Sequence, residues 1–235
     1  MNPLENTSMI ISHKYKFIFI KTYKTAGTSL EMFLGHHCGP KDIVTPIYPF
    51  VDSHKPRNYR GLRQFKERTY SAVYKKKFNL RDFVLPIKFY NHMSASLVRN
   101  RINKNIWNKY FKFCIERNPW DKTLSHYHML NHRADGKLSL DDYFEKQDFC
   151  LNYPLYLDDD GSMLVDKVID YKNLNTELSC VFERLNIDFS GSLEARAKSN
   201  YRKNNRPYQE VFSGKQKDII AEKFQREIML HEYTY

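Results

Sequence analysis

The apolar run Phe17-Ile18-Phe19-Ile20 passes straight into Lys21-Thr22-Tyr23-Lys24-Thr25-Ala26-Gly27-Thr28-Ser29-Leu30-Glu31, and this junction restricts the fold more than any other part of the chain. Four β-favouring apolar residues in succession read as a buried strand. The small-residue stretch that follows reads as a tight turn, and the pattern from Ser29 to Leu34 as a helix that stops near Gly35 or at Gly39-Pro40. A strand that feeds a tight turn and then a helix aims backbone N–H groups, and the positive end of the helix dipole, at one point where an anion can sit. In this reading Gly27 lets the backbone approach, Thr28 and Ser29 add hydroxyl donors, and Lys24 supplies a full positive charge. The P-loop of nucleoside triphosphatases is not matched, because its lysine follows the second glycine and here the lysine precedes it.

A second junction of the same kind lies over eighty residues on, Tyr110-Phe111-Lys112-Phe113-Cys114-Ile115-Glu116-Arg117-Asn118-Pro119-Trp120-Asp121-Lys122-Thr123-Leu124-Ser125-His126-Tyr127. The strand is read over residues 109–116. Arg117 falls at its end, Asn118 is a natural N-cap, Pro119 fits the first helical position, and Ser125 lies two turns into the helix. Arg117 and Ser125 can converge on a second phosphate, while alternation along the strand turns Glu116 away from it.

Together, K-T-A-G-T-S at 24–29 and R-N-P-W-D-K-x-x-S-x-Y at 117–127 resemble the 5′-phosphosulfate and 3′-phosphate motifs of sulfotransferases that use 3′-phosphoadenosine 5′-phosphosulfate (PAPS). Within that superfamily the chain is most similar to the carbohydrate-type, sulfotransferase family 2-like branch. Residues 91–95, 165–174 and 227–233 match that branch in order, so the resemblance runs from about residue 16 to the end. It implies a P-loop-like α/β fold and PAPS as co-substrate, held by Lys24, Thr25, Ala26, Gly27, Thr28, Ser29, Arg117 and Ser125, with Arg202 on a loop (198–203) that closes over the nucleotide. It also implies that Lys24 sits against the leaving phosphate, that His92 is the general base, that the acceptor is a hydroxyl on a glycan, and that no metal takes part. Sulfuryl transfer needs an oriented donor, neutralisation of charge on the leaving phosphate and a base for the acceptor proton. A localised ammonium suits the second role and an imidazole the third. Read singly, Lys24 is a surface lysine, His92 a cap or surface residue, and Arg117 a member of an ordinary ion pair. Trp107, Trp120 and Tyr127 are open to adenine stacking and to core packing alike. Two positions depart from the branch's pattern: Lys122 stands where arginine is common, and Lys172 where glutamate is frequent.

The chain's 235 residues, 41% of them hydrophobic, suffice for one domain with a sizeable core. Strands alternating with helices predict a single α/β domain over 1–235 around a mainly parallel sheet, with ligand sites beyond the strand ends. Residues 1–15 are a candidate disordered lead and 40–80 a basic insertion on the acceptor side. Helices are expected over 62–74, 95–102, 139–144 (short and capped) and 174–185, with Ile220, Phe224 and Ile228 striping a final one. Two extended stretches are expected around the hairpin dipeptide Asp160-Gly161 within 155–171. The net charge is +11, and residues 55–81 hold ten basic residues against Glu67 alone, which reads equally as a solvated face or as a surface for an anionic partner.

Cys38, Cys114, Cys150 and Cys180 have neither C-x-x-C nor metal-ligand spacing, so they read as buried free thiols, with Cys114 in the strand before Arg117 and Cys180 on a core-facing helix. His128 and His132 share a helix face without H-E-x-x-H, and an EF-hand placed on Gly161 would put Tyr156 and Lys167 at its required acids. No signal sequence or run of about twenty apolar residues is present, and the expected location is cytoplasmic. Two competing functions are a basic nucleic-acid-binding module, with Tyr59, Phe65, Tyr70, Tyr74 and Phe78 among the basic residues, and a nucleotide-dependent kinase. The first leaves both strand-turn-helix junctions unexplained, and the second lacks the Walker lysine.

Overall fold

Alternate residues of the two core strands face two different cores, and this fixes the layers. In the computed structural model, which describes residues 9–47, 51–61, 88–90, 92–193 and 206–235, the strands are β1 (Ile10–Ser12), β2 (Phe17–Phe19), β3 (Ile43–Val44), β4 (Phe111–Glu116) and β5 (Lys167–Asp170), in the order β3-β1-β2-β4-β5. Ile18, Ile20 and Cys114 pack on one side with Met93, Val98, Trp107 and Tyr156. Phe17, Phe19, Phe113 and Ile115 pack on the other with Leu30, Leu34, Val181 and Phe182. A sheet covered on both faces needs strands that are apolar throughout, which is why the runs at 17–20 and 113–115 do not alternate with polar residues.

The helices are α1 (Gly27–His37), α2 (Ala95–Arg101), α3 (Lys104–Lys109), α4 (Pro119–Arg133), α5 (Leu140–Lys146), α6 (Tyr153–Tyr156), α7 (Leu174–Leu185), α8 (Gly214–Lys223) and α9 (Gln225–His231). Local chemistry sets several of their ends. Ser94 caps α2 through the Leu97 N–H, and Ser139 forms a capping box with Asp142 at the start of α5. A third cluster, around Trp120, Leu124, Tyr143, Phe144, Phe212, Ile220 and Phe224, joins α4, α5 and α8. The expected single final helix breaks at Phe224, whose fully buried side chain sits between α8 and α9.

The sheet is mixed where a mainly parallel one is expected: β1 runs antiparallel to β2 and β3, while β2–β4 and β4–β5 are parallel. The antiparallel part comes from the segment read as a disordered lead. Residues 10–12 are fully buried and pair with residues 17–19 through a four-residue turn, and so short a connection permits only antiparallel pairing. Asp42 locks that turn by accepting hydrogen bonds from Ser12 Oγ (2.8 Å), His13 N (2.7 Å), Lys14 N (3.1 Å) and Gly39 N (2.8 Å). Residues 1–8 lie outside the described residues.

Other expectations are corrected as well. Within 155–171 the chain does turn at Gly161, where Leu157 and Met163 form an isolated bridge, but residues 153–156 are helical and only 167–170 form a strand. Cys180 is exposed, because the buried stripe of α7 is Leu178, Val181, Phe182 and Leu185. Cys114 is buried as expected, and Cys38 and Cys150 are half-buried. The expected helix at 62–74 lies outside the described residues, as does most of the basic insertion. Among the described residues no group of three His, Cys, Asp or Glu side chains is gathered to hold a metal, and no helix is long and apolar enough to cross a membrane.

One basic residue of that insertion has a structural task. Arg57 donates from Nε to Gly39 O (3.0 Å) and from Nη2 to Gly35 O (3.1 Å) and Cys38 O (2.8 Å), so it caps the C-terminal end of α1. Arg57→Ala is therefore expected to lower the unfolding free energy by about 1.5–3 kcal/mol in chemical denaturation, with Arg57→Lys recovering only part because an ammonium lacks the fork. An alanine variant as stable as the parent would contradict this role.

Candidate functional site

β2 and β4 lie side by side in parallel, Phe17 opposite Phe111 and Phe19 opposite Phe113, and Ile20 N continues the ladder to Phe113 O at 2.9 Å. Both strands therefore end together and open the two turns singled out in the sequence. After β2 the chain goes to β3 on one side of the sheet, and after β4 it goes to β5 on the other. A crevice at such a reversal, beyond the carboxyl ends of parallel strands, is where open α/β sheets hold ligands.

The two helix starts differ. At α1 the N-cap is Ala26, in the left-handed region (φ 57°), whose methyl side chain cannot cap the helix. Leu30 makes the first bond into the helix, to Ala26 O at 3.2 Å, so the N–H groups of Gly27, Thr28 and Ser29 lie ahead of the intrahelical ladder. At α4, Asn118 Oδ1 already accepts from Trp120 N (3.1 Å) and Asp121 N (3.4 Å). Of the two helix starts, α4 is thus the one whose own N-cap side chain takes up backbone donors, and α1 the one whose N-cap residue offers none.

The 21–24 turn is held residue by residue. Lys21 O accepts from His92 Nδ1 at 2.9 Å. Thr22 Oγ1 donates to Ile115 O and meets Thr25 Oγ1, so the hydroxyl of buried Thr25 is turned into the protein. Tyr23 N and O both bond the Asn152 amide, at 2.8 and 3.2 Å. Lys24 O accepts from Arg117 Nη1 at 3.0 Å. Lys24 and Ala26 carry the left-handed backbone (φ 61° and 57°), whereas Gly27 does not. Gly27 is needed for another reason: a Cβ there would lie 2.7 Å from Lys21 Cγ. The Lys21 stem crosses beneath the helix start so that its ammonium can pair with buried Glu31 (3.0 Å) and donate to Thr28 Oγ1 (3.2 Å).

His92 lies beside this turn, its ring stacked on Tyr23 with centroids 3.7 Å apart and planes 18° from parallel. Because a carbonyl only accepts, the Lys21 contact assigns the proton to Nδ1, and the lone pair of the neutral ring then lies on Nε2. Arg117 also donates from Nε to Asp121 (2.7 Å) and lies over the Tyr171 ring at 4.3 Å, a guanidinium only 12% exposed. Ser125 follows Asp121 by one further turn on the same face of α4. Burial first, then the charges of Lys24 and Arg133, depress the His126 pKa to about 4, so this ring is neutral near pH 7 and Lys24 sits close to the helix that carries Ser125. Burial pushes the Cys150 thiol up to about 12 despite Lys122 and Lys24 nearby, which keeps it from acting as a thiolate. The structure brings together Lys24, residues 25–29, His92 and Arg117, with Ser125 on the adjoining helix. Arg202 lies outside the described residues.

Beneath the site is a polar cluster that sequence reasoning missed. Glu116, fully buried, accepts from Lys122 Nζ (2.9 Å), Arg117 N (2.9 Å), Asn152 Nδ2 (3.0 Å) and Tyr156 OH (3.1 Å). Lys122 is itself fully buried and also faces Glu227 Oε1 at 3.7 Å. Burial raises the Glu227 pKa against the opposing pull of Lys122. The one available signal was a pair of opposite charges at 116 and 122 in segments otherwise reading as core.

Two neighbouring substitutions separate these backbone roles. Ala26→Gly is expected to stay within about 1 kcal/mol of the parent, since relief of the left-handed alanine offsets added chain entropy. Gly27→Ala is expected to lose about 1–3 kcal/mol through overpacking against Lys21. Denaturant titration of both variants checks this, and the reverse order of stabilities would refute the assignment.

No family model matches the chain, and no solved structure does. A protein of Archaeoglobus fulgidus, described as an uncharacterized protein, is 32% identical to it over 119 residues, which take in 98% of the archaeal protein and 47% of this chain. The chain thus belongs to one family with that archaeal protein, whose description assigns no activity.

Proposed function

We propose that the protein is a PAPS-dependent sulfotransferase that modifies an acceptor hydroxyl, with a glycan as the acceptor class. The observation that carries this reading is the start of α1 at the reversal point of the sheet, where the N-cap residue has no capping side chain, Lys24 lies in the turn just before it and His92 bonds that turn through Lys21 O. Such a helix start preceded by a lysine fits a phosphate better than a neutral ligand. PAPS, when bound, would supply the activated sulfuryl group and leave as adenosine 3′,5′-bisphosphate (PAP).

The work of the chain's own residues follows from their positions. The N–H groups at 27–29 and the Lys24 ammonium neutralise the phosphate nearest the reacting centre. Arg117 has used Nε and one Nη1 hydrogen on Asp121 and Lys24 O, and its five-donor fork keeps hydrogens for a second phosphate, with Ser125 beside it. His92, its tautomer fixed by Lys21 O, takes the acceptor proton on Nε2. The glycan class rests on the sequence resemblance and on the +11 charge, which favours anionic acceptors over neutral phenols. Arg57 does not add to such a surface, since it is spent on the carbonyls at the end of α1.

Calorimetry with PAP in chelator tests the assignment. The parent protein is expected to bind PAP without metal, Lys24→Ala and Arg117→Ala each to weaken binding at least tenfold, about 1.4 kcal/mol, and His92→Ala to bind PAP almost unchanged while losing transfer of radiolabelled sulfate. PAP binding that requires magnesium, or no binding at all, would overturn the reading, and near-normal turnover by His92→Ala would move the base elsewhere.

A further inference from the structure

We infer that Asn152 is a positioning residue that sets the backbone of the 21–24 turn and, through Tyr23, the ring of His92. So far as PAP is concerned the inference rests on the sulfotransferase reading above, while the clamp itself stands on geometry. Asn152 is fully buried, and its amide uses a complete set of partners. Oδ1 accepts from Tyr23 N at 2.8 Å, and the two Nδ2 hydrogens go to Tyr23 O at 3.2 Å and Glu116 Oε1 at 3.0 Å. Its own N–H donates to Glu227 Oε1 at 3.0 Å.

Holding both polar groups of residue 23 fixes both peptide planes that flank it, and so the direction in which the Tyr23 side chain leaves the backbone. That ring lies against His92 at 3.7 Å, and His92 returns to the same turn through Nδ1 on Lys21 O. Asn152, Tyr23, His92 and Lys21 therefore form one closed set of contacts. His92 is held at φ 48° and Lys24 at φ 61°, conformations that cost free energy and persist only where surrounding contacts impose them. The other end of the clamp is Glu116, last residue of β4, whose neighbour Arg117 reaches over to Lys24 O. One amide thus ties the anion-binding turn to the strand end that carries the second candidate phosphate ligand. Asparagine suits the place because it offers one acceptor and two donors at this length. Aspartate would set a second carboxylate against Glu116, and alanine would leave Tyr23 N, Tyr23 O and Glu116 Oε1 each short of a partner.

The test compares Asn152→Ala and Asn152→Asp with Tyr156→Phe, which removes a different hydrogen bond to Glu116 and does not touch the turn. Amide exchange of peptides covering residues 20–28 and PAP affinity are read for each, alongside melting temperature. Both Asn152 variants are expected to exchange at least tenfold faster over 20–28 and to bind PAP at least tenfold more weakly. Tyr156→Phe is expected to stay within twofold of the parent in both measurements, whatever its melting temperature. Changes in the Asn152 variants no greater than in Tyr156→Phe at a matched loss of melting temperature would overturn the inference. So would a Tyr23 amide in the parent protein that exchanges as fast as an open loop, a measurement that needs no variant to fold. Failure of the parent to bind PAP would overturn the sulfotransferase reading and leave the exchange comparison to decide the clamp.

Discussion

Everything at the site follows from β2 and β4 running in the same direction as direct neighbours. The pairing of Phe17 with Phe111 and Phe19 with Phe113 ends two strands at one edge of the sheet, and neither turn would meet the other if β4 were antiparallel or one strand removed. The chain then departs to opposite sides of the sheet, to β3 after β2 and to β5 after β4. Asn118 satisfies the start of α4 from within its own segment, whereas α1 has no such cap. That difference in capping makes the start of α4 a structural joint and the start of α1 the end proposed to receive the anion.

The contacts that fix this edge are polar and buried, which is an expensive way to hold a turn. Removing Glu116 and Lys122 from water costs several kcal/mol per ion, and their mutual attraction offsets this only because Arg117 N, Asn152 and Tyr156 complete the carboxylate's bonding. An apolar core would hold β4 as well but could not grip the N–H and C=O of Tyr23. The cluster therefore contributes definition of geometry more than stability. Lys122, a departure from the branch's common arginine, is part of this interior frame and not of the surface that meets ligand.

The fold was legible where short-range chemistry decides it. The apolar run at 17–20, the Asn118-Pro119 start of α4, the Ser139 cap of α5 and the span of α7 at 174–185 each depend on residues within a turn or two of one another. β1 was not legible, because Met9-Ile10-Ile11 is too short a run to announce a strand without the partners β2 and β3. The close packing at Gly27 was not legible either, since the crossing Lys21 stem is a tertiary fact. Cys180 shows that a cysteine among apolar neighbours in sequence can stand on the solvent side of a helix. Of the site, Lys24, His92 and Arg117 were named in advance and are found together. Asn152 was missed because it stands 129 residues from Tyr23 in no recognisable motif, and a buried amide reveals its role only through its partners.

The claim on which the account turns is that the start of α1 receives the anion. Titration of the isotope-labelled parent protein with PAP, followed through backbone amide resonances, tests it most directly. The account predicts that the largest shifts fall on Gly27, Thr28 and Ser29, whose N–H groups precede the first intrahelical bond. Largest shifts at residues 118–121 or 55–60, with 27–29 unmoved, would contradict it.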